Sequence, residues 1–299
     1  MTDTAQAPGI LGRRQRRLSD DETEKRMLKA AAAMINQTGL TVSLDHLSFE
    51  DVIRDARVSR SAVYRRWPYK DLFFSDLLKE LARAAVPAAA TSPDTTLGPI
   101  RQLLFDHFDD LAADEPRRNL VLELMRQASV WDLETMHGST EWRTYLALHA
   151  TFLSVADETL RGELQTALAE SERSFTERIA ASWQFLAGVL GLRLRPEVDA
   201  SFETIANLVS AVSRGLVLMS LASPDIATRP IKARPFGASV AADWAPAAIA
   251  LTSIATTFLE ADPAVVRDTK RLAGIRKALE SRGPVVSLTA EAPRAVRAV

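Results

Sequence analysis

The chain has 299 residues, 47% of them hydrophobic and 25% charged, enough for one large domain or two ordinary ones with a sizeable core. Its formal charge of −1 excludes a surface that coats nucleic acid generally, so any such contact has to be local. The absence of cysteine excludes disulfides and thiolate metal sites and fits a reducing compartment.

Residues 1–18 are small and polar apart from "GRRQRR" and bury too little apolar surface to order themselves, which predicts a flexible basic arm carrying Arg13, Arg14, Arg16 and Arg17. Ser19 and Glu22 have the capping-box spacing, and acids, helical apolar intervals and Gly39 then predict a first helix over about Asp20–Thr38. In "LSFEDVIRDARVS", Ser48 caps a short helix with Asp51 at the box position and Val52, Ile53 and Ala56 on one face. After Arg57 and Val58, Ser59 caps a second short helix running to about Trp67, where Pro68 ends it. Two short helices joined by a tight turn behind a longer one have the layout of a helix-turn-helix. At about 100° per residue, Arg60, Ser61, Tyr64 and Arg65 fall within roughly 140° of one another, while Val63 and Trp67 point elsewhere. Arginine and serine on that face can bond base edges, and a lysine or tyrosine hydroxyl can hold phosphate. A solvated face would carry the same arginines.

Helices follow near Thr96–Ala113, Arg117–Trp131, Glu141–Val155 and Arg161–Leu190, and they hold nine of the nineteen aromatics. Two further helices, about Ala200–Ala222 and Trp244–Glu260, are apolar or small on most faces, so they need burial on two sides, as at a symmetric dimer interface. The longest break is Ser223–Ser239, and a last helix spans Ala264–Glu280 before a loose tail. Alternating strand-like runs hardly occur, which makes the chain all-α. No apolar run approaches the roughly 20 residues of a membrane span and no signal core opens the chain, so a cytoplasmic protein with no membrane partner is expected.

"SFEDVIRDARVSRSAVYRRWPYKDLF" resembles the DNA-binding signature of the TetR family of bacterial transcriptional regulators, approximately T-V-x-x-I-A-x-x-A-G-V-S-x-G-T-L-Y-x-Y-F-x-S-K-E-x-L. Ser48 and Phe49 stand for T-V, Val52 and Ile53 for I-A, and Ala56 for the second alanine. Val58 and Ser59 match V-S, Val63 and Tyr64 match L-Y, Trp67 replaces the phenylalanine, and Lys70, Asp71 and Phe73 stand in the K-E-x-L region. The resemblance implies a DNA-binding set of Ser48, Ser59, Arg60, Ser61, Tyr64, Arg65, Arg66 and Lys70, with Tyr64 and Lys70 on the backbone and the arginines and Ser61 at operator-reading positions. Three departures stand out. Arg57 replaces the turn glycine, at about 1–2 kcal/mol if its φ is positive; Ile53 replaces a small alanine and would push the helices apart; and Tyr69 cannot cap the next helix as serine would.

"GLRLRPEVDASFETIANLVSAVSRGLVL", Gly191–Leu218, resembles the family's late segment more weakly. The resemblance implies a homodimer on a roughly palindromic double-stranded operator, joined through the two late apolar helices, most often as a repressor released by a small apolar or aromatic effector. Phe105, Phe108, Met125, Trp131, Trp142, Tyr145 and Trp183 are the candidate pocket residues. The expected division is 1–18 arm, 19–86 three-helix helix-turn-helix domain, 87–262 effector-binding and dimerisation domain, and 263–299 partly disordered extension. No cofactor fingerprint or metal box is found. The competing readings are an all-helical enzyme using Mg²⁺ at the acidic run Asp106–Glu115, and a helical adaptor protein.

Overall fold

The structure, a computed structural model, describes residues 18–38, 47–83 and 93–280. The basic arm to Arg17, Gly39 and the tail beyond Glu280 lie outside them. The described residues are predominantly helical, as the periodicity predicts, and the helix order is α1 Asp20–Thr38, α2 Phe49–Ala56, α3 Arg60–Arg66, α4 Lys70–Arg83, α5 Pro93–Asp106, α6 Asp114–Gly138, α7 Thr140–Ser154, α8 Glu158–Leu190, α9 Phe202–Ala222, α10 Asp225–Thr228, α11 Pro246–Phe258 and α12 Thr269–Glu280. Two short antiparallel pairs interrupt them. β1 Leu192–Leu194 pairs with β4 Leu259–Ala261, and β2 Ile231–Ala233 with β3 Ala242–Trp244 inside the predicted long break.

The first four helices follow from their caps and apolar spacing. Ser19 Oγ accepts from the Glu22 N–H at 3.1 Å, and Met27, Ala31 and Ile35, one turn apart, are fully buried. Ser48 and Ser59 accept at 3.3 Å from the N–H groups of Asp51 and Ala62, satisfying donors that each helix start leaves free. Between these helices the chain turns at Arg57, which sits left-handed at φ 53°, ψ 45°. The N–H groups of Arg57 and Val58 donate to Arg54 O and Ile53 O, which is a Schellman closure. Ile53, in place of the small alanine, is buried in this core at 5% exposure. Phe73 holds the group together, its centroid 5.1 Å from both Phe49 and Trp67. The buried Trp67 needs a partner for its N–H, and Asp76 of α4 accepts it at 2.9 Å.

The same core runs on from α1–α4 into α6, α7 and α8 through Met136, Trp142, Leu148, Leu164 and Phe175. Lys79 of α4 bridges Asp76 at 2.7 Å and Glu163 of α8 at 3.1 Å. A second core joins α5, α6, the end of α8, α11 and α12. Phe108 is buried there beneath the Arg276 guanidinium, 4.4 Å from its ring, and Phe105 packs against it. The last helix is therefore part of the second core, through Ile275 and Leu279.

At the end of α8, Gly191 has φ 64°, and an added Cβ would meet Arg117 Nη1 at 2.8 Å. That guanidinium is buried because it donates to Leu190 O and Gly191 O at 3.0 and 3.2 Å, ending the helix where β1 must begin. The expectation that no run reaches membrane-span length is corrected by α9, whose 21 residues are long and apolar enough by composition. One side of α9 is used for packing, since Ile205, Ala206, Val209 and Val217 are buried and the helix lies against α6, α8, α10 and α11.

Arg57 is exposed and has no ion pair among the described residues, so its left-handed backbone is uncompensated by side-chain contacts. Arg57→Gly should raise stability by about 1 kcal/mol, less the extra chain entropy that glycine loses on folding. Urea unfolding measures it, and a lower midpoint for the variant would show that this turn is not strained.

Candidate nucleic-acid interface and an aromatic cavity

On α3 the two faces separate as the wheel predicts. Val63 and Trp67 are fully buried, while Arg60, Ser61, Tyr64, Arg65 and Arg66 are exposed. Ser48 and Ser59 are exposed but occupied as caps, Ser61 Oγ lies 3.4 Å from Ser59 Oγ, and Lys70 lies over the Phe74 ring at 4.8 Å. The exposed arginines are all matched by carboxylates. Arg60 pairs with Glu50 of α2 at 2.6 Å, and the Tyr64 hydroxyl donates to the same Glu50 at 3.2 Å. Arg65 pairs with Asp20, and Arg66 with Glu24 at 2.8 Å and Asp76 at 3.4 Å.

Exposed pairs of this kind are worth about 0–1 kcal/mol each and are screened by salt, so they set side-chain directions more than stability. Their larger effect is on charge. Residues 19–86 hold eleven lysines and arginines against eleven aspartates and glutamates, a neutral segment beside an arm with four arginines.

Behind these helices, α5, α6, α7, α8, α9 and α11 line a partly open cavity of about 140 Å³. Met125, Trp131, Trp142 and Trp183 line it, together with Met136, Phe175 and Val209. The other three candidate pocket residues do not. Phe105 and Phe108 turn into the second core, and Tyr145 packs edge-on to Trp142 at 5.3 Å behind the wall. α5 presents Ile100 to the space in place of Phe105, and α7 presents Trp142 in place of Tyr145.

The polar groups of the cavity are the ones that composition could not rank. Asp132 of α6 accepts from the Ser213 hydroxyl of α9 at 3.2 Å, its single bond or ion pair among the described residues. Burial raises its carboxyl above the usual range, and the Ser213 bond offsets part of that rise. Arg214, one residue on, is bound bidentately by Glu172 at 2.9 and 3.0 Å and lies over the Tyr145 and Phe175 rings at 4.9 and 5.0 Å. The His149 ring nitrogens lie 2.9 Å from Tyr145 O and 3.1 Å from Glu172, an arrangement that would suit an imidazolium. Burial and the Arg214 charge nevertheless push the ring down to about 4. With Glu172 already held twice by a guanidinium, the neutral ring is the consistent state near pH 7. Arg214 and Glu172 therefore cancel, and Asp132 stands without a counterion.

A second cavity of about 460 Å³ lies across α6, sharing Met125. Its arginines are engaged: Arg117 with the end of α8, Arg118 with Phe236 O at 3.0 Å, and Arg195 with Thr256 O at 3.3 Å. The acidic run Asp106–Glu115 does not converge, since Asp106 accepts from Gln102, Asp110 faces His107, and Asp114 holds Arg117 and Arg267. Among the described residues no three carboxylate or imidazole groups come together.

The outward side of α9 is apolar. Leu208, Ala211, Leu218, Met219 and Ala222 are exposed on one stripe, and Gly215 between them opens onto empty space. Leu218 and Met219 are about half exposed, at 51% and 52%.

No family model matches the chain, and no curated protein matches its sequence.

Proposed function

We propose that the protein is a dimeric, ligand-responsive transcriptional regulator of the TetR kind, most simply a repressor, that reads a roughly palindromic operator through α2 and α3 as a helix-turn-helix. The observation that carries this reading is the division of α3: a donor-rich face turned outward and Val63 and Trp67 fully buried behind it. The capped turn at the family's glycine position supports it, because Arg57 takes the backbone conformation that glycine would have allowed.

The neutral charge of residues 19–86 gives the arm a defined part in this function. Nonspecific affinity scales with the phosphates neutralised, and here that term comes mainly from Arg13, Arg14, Arg16 and Arg17, while α3 supplies sequence choice. Glu50, Asp20 and Glu24 hold the α3 arginines in place until base edges or phosphates take them over, at little energetic cost per exchange.

The exposed stripe of α9 supports the dimer. A partner copy would cover Leu218 and Met219 on a twofold, with Ala211 and Gly215 allowing close helix approach, and would set two α3 helices about 34 Å apart in successive major grooves.

Gel shift against the chain's own promoter region tests the DNA reading. Arg60→Ala or Tyr64→Phe should weaken the shift about tenfold or more without altering sedimentation, and unchanged shifts would remove α3 from the interface. Alanine at the four arm arginines should flatten the salt dependence, since each lost phosphate contact lowers the slope by about 0.9. Leu218→Glu with Met219→Glu should give monomers by analytical ultracentrifugation, and dimers of undiminished strength would move the interface off α9.

A further inference from the structure

We propose that the cavity between α6 and α9 takes a small aromatic amine, its ammonium paired with Asp132 and its ring among Trp131, Trp142 and Trp183. This names the effector class for the site invoked above and rests on that reading only for its effect on DNA; binding itself does not depend on it.

Charge comes first. Two ionisable groups line this space, Asp132 and Arg214, and Arg214 is matched by both oxygens of Glu172, which lies behind the wall with the neutral His149 against it. Asp132 has only the Ser213 hydroxyl, at 3.2 Å. A half-buried carboxyl facing an apolar wall is stabilised by a counterion or a proton, and the protein supplies no cation to it among the described residues. A ligand bearing one positive charge completes the site, an anionic ligand is repelled by it, and a neutral one leaves Asp132 as it was.

The walls give the same answer independently. Three indoles and Phe175 surround the space, and aromatic faces attract a cation through their quadrupoles, tryptophan most strongly. Size then limits the ligand. The volume of about 140 Å³ is close to the roughly 150 Å³ engineered cavity that holds benzene, so one ring with a short amine arm fits and a fused polycycle does not without rearrangement. Position adds a consequence: Asp132 lies on α6 and Ser213 on α9, so an ammonium between them ties the helix with the outward apolar stripe to the interior.

Isothermal titration of the full chain at pH 7.5, without DNA, tests this with three compounds of nearly one shape: 2-phenylethylamine, 2-phenylethanol and 3-phenylpropionate. The amine should bind at least tenfold more tightly than the alcohol, and the propionate should bind worst. Asp132→Asn, which keeps the side-chain shape and an acceptor for Ser213, should erase the preference for amine over alcohol while leaving alcohol affinity within about twofold; Asp132→Glu should restore part of it. Equal or tighter binding of the alcohol or the propionate to the unaltered protein overturns the proposal, as does an amine preference that survives in Asp132→Asn. The two readings fail separately. Amine binding by a protein that shifts no DNA would defeat the regulator and keep the site, and a normal gel shift without amine preference would do the reverse.

Discussion

The Asp76 carboxylate is the junction on which the arrangement depends. It accepts the indole N–H of Trp67 at 2.9 Å, lies 2.7 Å from Lys79 and 3.4 Å from Arg66, and is only 19% exposed. Burial alone would raise its pKa, but the hydrogen bonds from Lys79 and Trp67 and the two cations outweigh that and lower it. The carboxylate is thus held charged where the end of α3 meets α4. Trp67 ends α3, so its bond to Asp76 fixes where the exposed face of that helix points. Lys79 extends the network to Glu163, so the same carboxylate also fastens α4 to α8. An apolar residue at 76 would strand the indole N–H inside the core and free the end of α3 at one stroke.

How far the sequence could be read depends on the range of the interaction. Ser19, Ser48 and Ser59 cap where their spacing says, because a cap is settled within three residues. The burial of Val63 and Trp67 follows from the helical period alone. Arg57 is instructive, since its positive φ was legible only through the resemblance, at the place where the family's turn carries glycine, whereas the burial of Ile53 depends on the packing of α1, α2 and α4 around it. Of Asp76's partners only Lys79, three residues on, could be read from spacing, because Trp67 and Arg66 reach it from nine and ten residues upstream on another helix.

The cavity shows the same boundary more sharply. Aromatic content identified its neighbourhood, and Trp131, Trp142 and Trp183 do face it, but Phe105, Phe108 and Tyr145 are as aromatic and point elsewhere. Which ring faces a void is decided by helix rotation, a tertiary quantity. Asp132 and Ser213 were invisible for a related reason: 81 residues apart, neither belongs to any spacing rule, and each looks like an ordinary polar residue on an amphipathic helix. Likewise the pairing of every exposed α3 arginine with an acid of another helix emerges only when α1, α2 and α3 are packed together.

On the proposed reading, α8 is the element that lets the cavity speak to α3. Its 33 residues span about 50 Å at 1.5 Å per residue. Phe175 to Leu186 wall the cavity, while Glu163 and Leu164, nearer its start, meet α4 and the first core. A ligand can shift such a system only by its preference for one state. A ligand in the cavity would bear on the wall that α8 and α9 share, and because α8 is tied to α4 through Lys79 and α4 to α3 through Asp76, a shift of α8 would be transmitted to the helix whose orientation DNA would read.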